Sequence, residues 1–157
     1  MQVRRPRTGI LSDNHALNEV FERVDQRLRG LEHALRQHGT LPLSSTIDES
    51  LDLTRMLLRG HIAARAGGDP ATAATGAQPL SAGDDVLELF KVFVKGDPTL
   101  NAVRDNIREL VYYRNCIDLK REDALPVRPD AMAVRTVRHI YLYLRSRSEQ
   151  QMRPVHD

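Results

Sequence analysis

Apolar residues recur along this chain in steps of three and four, and no stretch shows the two-residue alternation of a half-buried strand. Leu17, Phe21, Val24, Leu28, Leu31 and Leu35 fill nearly three heptads of a and d positions. This predicts a long first helix, capped at Ser12 or Asp13 and stopped at Gly39. A bundle helix accounts for it better than an isolated coiled coil, which normally needs more heptads. A second helix is expected from Ser45 or Thr46, where Thr46-Ile47-Asp48-Glu49 matches a capping box, to about Ala66.

The third predicted helix, near 84–95, is apolar around most of its circumference, with only Glu88, Lys91 and Lys95 as a polar stripe. Such a helix usually occupies the middle of a fold. Gly96 ends it, Asp97 can cap the next, and Pro98 suits a first turn. The fourth helix then runs from about Thr99 to Ile117 and the fifth over roughly 130–150. The expected fold is all-α: about five helices in a bundle, a long N-terminal helical hairpin followed by compact C-terminal helices. Residues 1–11 are expected to be a basic flexible tail and 12–157 a single helical domain. Within that domain the Ala-, Gly- and Thr-rich stretch 67–83 is expected as a flexible loop.

With 157 residues, one domain of this size buries roughly 68–70% of its unfolded surface, enough for a core without metals or disulfides. The core must be mostly aliphatic, because the chain has no Trp and only three Phe. A single cysteine, Cys116, excludes an internal disulfide and any multi-cysteine metal site. No run approaches the roughly 18 apolar residues of a membrane span, and the basic N-terminus lacks the apolar stretch of a secretory signal. A cytoplasmic protein without membrane association is the expectation. Net charge is +2 but uneven, with arginines gathered at both ends.

Catalytic signatures are missing. There is no Glu-x-x-His pair for a di-iron bundle, and His33 and His38 are five apart rather than the four of a zinc helix. Cys116 has no histidine near it in sequence, and neither nucleotide-binding nor hydrolase glycine motifs occur. No catalytic residue, metal or cofactor is therefore assigned, and a non-enzymatic role is expected.

Arg114 is the anomaly. It falls on the stripe that Leu100, Val103, Ile107, Leu110 and Val111 form, where an unpaired guanidinium cannot stay. An internal ion pair is one account, with Asp48, Asp52 and Asp85 as candidate partners; removing one member of a buried pair costs about 3–5 kcal/mol. The other account is an interface or ligand, and Tyr112, Tyr113 and Arg114 are then candidate interface residues, since Tyr and Arg are enriched at hot spots. The step Arg114-Asn115, late in one helix and ahead of a final one, resembles the Arg-Asn step of HEPN-type helical domains. That likeness covers two residues and a helix order. It implies a dimeric, RNA-associated relative, and an inactive one, because Leu119, Lys120 and Arg121 stand where the family's histidine would complete the ribonuclease site.

The last helix offers a second candidate surface. Arg135, Arg138 and Arg145 lie on one side with Tyr141 beside them, able to track phosphates and stack a base. Pairing with acids such as Asp105 and Glu109 is the competing account. The expected function is a small helical module for protein–protein association, as an accessory subunit or homo-oligomer. Nucleic-acid binding through the last helix is the alternative.

Overall fold

A computed structural model describes the chain over residues 6–74 and 82–152, with side chains over 15–74 and 86–150. The fold is all-α, and no strand occurs among the described residues. Among the described residues six helices follow in order: α1 (Pro6–His38), α2 (Leu43–Arg65), α3 (Pro70–Ala74), α4 (Ala82–Gly96), α5 (Arg104–Asp118) and α6 (Pro129–Met152). Short 3-10 turns at Pro98–Val103 and Glu122–Ala124 lead into α5 and follow it.

α1 begins at Pro6, so residues 6–11 of the expected tail are helical; residues 1–5 lie outside the described residues. Pro6 needs no partner for a missing N–H in a first turn, and Ile10 stands one heptad before Leu17, so the pattern runs further back than its caps suggest. Gly39 closes α1 with φ of 79°, a left-handed conformation that only glycine adopts without strain.

α2 starts at Leu43 behind Pro42, three residues, or just under one turn, earlier than its capping box. Thr46 is buried inside the helix and gives its N–H to the Pro42 carbonyl at 3.1 Å, which leaves the box unused. The expected loop at 67–83 holds the short α3. There the Asp69 side chain accepts from the Ala71 N–H and the Thr72 hydroxyl, and Pro70 and Ala74 are buried. Residues 75–81 lie outside the described residues, and 82–83 already belong to α4.

The central helix is α2, not α4. It packs against α1, α3, α4, α5 and α6, and its run from Leu53 to Leu58 is buried throughout. Two features let it take that place. Ser50 and Thr54 give their hydroxyls to the carbonyls four residues back, so polar side chains sit inside at little cost. Gly60 admits α1 so closely that a methyl there would lie 3.3 Å from Val20. α4 is displaced to the flank, and Val92 is 54% exposed.

Candidate functional site

The flank position of α4 creates a concave surface against α5. Val86, Phe90 and Phe93 face the core, which uses up only part of its apolar circumference. Asp97 then turns the chain, accepting from the Thr99 N–H and hydroxyl, and the hydroxyl bond holds its carboxyl below the ordinary range. Arg147 on α6 clamps the turn, reaching Asp97 at 3.0 Å and Thr99 Oγ1 at 2.7 Å, while the Tyr143 hydroxyl donates to the Thr99 carbonyl. The chain beyond Asp97 folds back as α5. Between the two helices lies an open groove of about 610 Å³.

Leu87, Phe90, Val94, Ile107 and Val111 supply its apolar wall and floor. Lys91 and Glu88 stand on the α4 rim and pair with each other at 3.1 Å. Arg104 and Arg108 stand on the α5 rim, both exposed, and among the described residues neither has an ion-pair partner. Lys91, Arg104 and Arg108 against Glu88 give the lining a formal charge of +2. The sequence carried one signal for this groove, the all-round apolarity of α4. Read as burial, it pointed to the wrong helix.

Of the three predicted interface residues on α5, only Tyr112 belongs to the groove. It is 50% exposed. Tyr113 points the other way and is buried; its hydroxyl donates to Glu109 at 2.6 Å, and burial followed by that carboxylate pushes its pKa up. Glu109 also accepts from Thr136 on α6, so the Tyr113 side chain is taken up in the packing between α5 and α6. Arg114 is largely covered. Nη1 donates to Asp48 and to Ser44 on α2, and Nη2 meets Asp118 at 2.9 Å. Its anomaly is thus resolved by an ion pair to one of the three acids that the pattern nominated.

The predicted basic face of the last helix does not lie free. Arg138 donates to Glu32 at 3.0 and 2.8 Å and to Asp25 at 2.7 Å, both on α1, and the Glu32 bonds raise its pKa. The acids that neutralise it are therefore on α1, and neither Asp105 nor Glu109 takes part. Tyr141 is buried under Arg138, whose guanidinium sits 5.1 Å from the ring centroid, so no base can stack on it. Arg145 donates to the Tyr141 hydroxyl and to Glu149. Arg135 alone of the four is exposed without a bond among the described residues. A second cavity, of about 590 Å³, opens between α1 and α6, but Asp25, Arg29, Glu32 and Arg138 on its lining already satisfy one another.

His61 lies inside the bundle, edge-on to Phe21 and Phe93 at 5.5 and 5.8 Å, and desolvation lowers its pKa to about 4. It is far from Arg114: Asp48, which holds that arginine, precedes His61 by some 20 Å of helix. His139 is exposed and Cys116 buried. Among the described residues no three His, Cys, Asp or Glu side chains cluster so as to hold a metal, and no helix is long and apolar enough to cross a membrane. No family model matches the chain, and no similar curated protein or solved structure was found.

Proposed function

We propose that this protein is a non-enzymatic helical module that associates with a partner protein, and that the α4–α5 groove receives the apolar face of a partner helix. The observation that carries this reading is the groove itself. Leu87 and Val94, only partly buried, and Val92 nearby are more apolar surface than this fold covers. Grooves between packed helices take amphipathic helices by their i, i+4 and i+7 anchors. On the α5 side the lining runs from Asn101 in the 3-10 turn to Asn115, 14 residues and roughly 20 Å of helical rise, room for a partner helix of three to four turns. Tyr112 at the rim supplies an amphipathic aromatic of the kind that anchors interfaces.

The test is amide chemical-shift mapping on the full chain. The titrant is a helical peptide of about 15 residues with Leu at i, i+4, i+7 and i+11 and an uncharged polar face. Shifts confined to α4 and α5, abolished by Val94→Glu without loss of helicity, are the expected result. No shifts, or shifts spread over α1 and α6, overturn the assignment. A dimer of the chain alone that Val94→Glu dissolves would give the groove to a second copy instead of a partner protein.

A further inference from the structure

The rim of the groove carries information that its floor does not. Arg104 opens α5 directly behind the 3-10 turn, its N–H bonded to the Asn101 carbonyl and its side chain exposed. Arg108 follows it by four residues on the same side, so two like charges face each other along the helix, which is unfavourable. Asp105 and Glu109 adjoin them in sequence, but Glu109 is taken by Tyr113 and Thr136 and neither arginine pairs with either acid. Arg23, Arg36 and Arg135 are likewise exposed without an ion pair among the described residues, but none of them lines the groove. Arg27, Arg114, Arg138 and Arg147 each hold a carboxylate from another helix or turn. What sets Arg104 and Arg108 apart is place: two guanidiniums one turn apart on the edge of an apolar groove, with no carboxylate of the described chain to meet.

We infer that the groove selects an acidic partner: an amphipathic helix with apolar anchors whose polar face carries two carboxylates, spaced one turn apart, that engage Arg104 and Arg108. The inference rests on the reading of the groove as a helix site and adds its selectivity. The floor supplies the area and the rim supplies the sign. The Glu88–Lys91 pair lies on α4, across the groove from them, so Arg104 and Arg108 put the unbalanced positive charge on the α5 side. A carboxylate arriving there relieves the like-charge cost. A two-fold contact of two copies, groove against groove, would bring four arginines into one interface, which favours a different chain as the partner.

Three peptides of identical Leu pattern test this, with Glu, Gln or Lys at the two polar positions that face α5, titrated against the full chain by fluorescence anisotropy. The Glu peptide is expected to bind about 3- to 10-fold tighter than the Gln peptide, and the Lys peptide weaker than either. That advantage shrinks between about 50 and 500 mM salt, because rim charges are screened. The double variant Arg104→Gln, Arg108→Gln brings the Glu peptide to the Gln peptide's affinity while leaving the Gln peptide unchanged. Equal binding of all three peptides overturns the acidic selectivity and leaves the helix groove standing. Binding of none overturns the groove reading itself.

Discussion

Arg114 on α5 reaches Asp48 on α2, and the two ends of that bridge differ sharply in exposure: the arginine side chain is 13% exposed, the aspartate 58%. Asp118, its second acid, is 60% exposed. A largely covered guanidinium held by two wet acids is not the dry ion pair that its place on the apolar stripe suggests. Water screens both carboxylates, and the loss of either leaves no charge stranded in the core.

Arg114→Met is accordingly expected to cost about 0.5–1.5 kcal/mol, short of the roughly 3–5 kcal/mol of a dry pair, because Met keeps the apolar stem in place. A double-mutant cycle with Asp48→Asn should return a coupling of about 0.5–1 kcal/mol in urea denaturation. A cost above about 3 kcal/mol would show the pair to be shielded from water after all.

His61 gives the fold a pH dependence of definite sign. Its ring is closed in by Phe21 and Phe93, and burial holds its pKa at about 4 against the usual 6.5. Below pH 6.5 the unfolded chain takes up a proton that the folded chain refuses until about pH 4, so stability falls with pH across that window. The drop attributable to this residue is roughly 3 kcal/mol. It is measured as the difference between wild type and His61→Leu in urea denaturation at pH 7.5 and pH 4.5. Parallel pH profiles for the two proteins would refute it.

Much of this architecture is legible in the chain, and the illegible parts share a cause. The α1 seam, the Gly39 stop and the Gly96-Asp97-Pro98 punctuation each depend on neighbours in sequence, and each is where the pattern puts it. The choice of Asp48 for Arg114 was among the nominated acids, since few carboxylates face that stripe. The centrality of α2 was hidden because Ser50, Thr54 and Gly60 make it look less apolar than α4. Only the hydroxyl-to-carbonyl bonds and the close approach of Val20 show why those residues belong inside. Arg138 finds Asp25 and Glu32 more than a hundred residues away, a pairing that helix order alone decides. The groove is the complement of these packing choices, so no local pattern encodes it.

That pairing changes how a nucleic-acid role is to be tested. Arg138→Glu would set a third carboxylate against Asp25 and Glu32 and is expected to lower stability by about 3 kcal/mol or more, so lost binding in that variant would report unfolding. Arg135→Glu changes an exposed side chain and should leave the denaturation midpoint within about 0.5 kcal/mol. Anisotropy with labelled single-stranded RNA at low salt is expected to show no binding that Arg135→Glu removes. Tight, salt-sensitive binding lost in that variant alone would return the α6 surface to consideration.

The junction of α2 with the end of α4 supplies a case where two opposed effects can be separated. Arg65 on α2 donates to the Phe93 carbonyl at 2.7 Å and lies over the Phe93 ring, taking up a carbonyl that the helix end leaves free. It reaches that carbonyl across Gly96, where an added methyl would come within 2.5 Å of Nη1. Gly96 is not in the left-handed region, so alanine is compatible with its backbone and by itself should stabilise by about 0.4–1 kcal/mol through the unfolded chain. In the wild type that gain is offset, because the methyl displaces a flexible guanidinium and its bond, worth about 0.5–1.5 kcal/mol. Gly96→Ala is therefore expected to be near neutral or slightly destabilising alone, and stabilising once Arg65→Ala has cleared the space. The cycle should yield a coupling of about 1 kcal/mol in urea denaturation. Simple additivity of the two substitutions would mean that Arg65 does not cap α4 in solution.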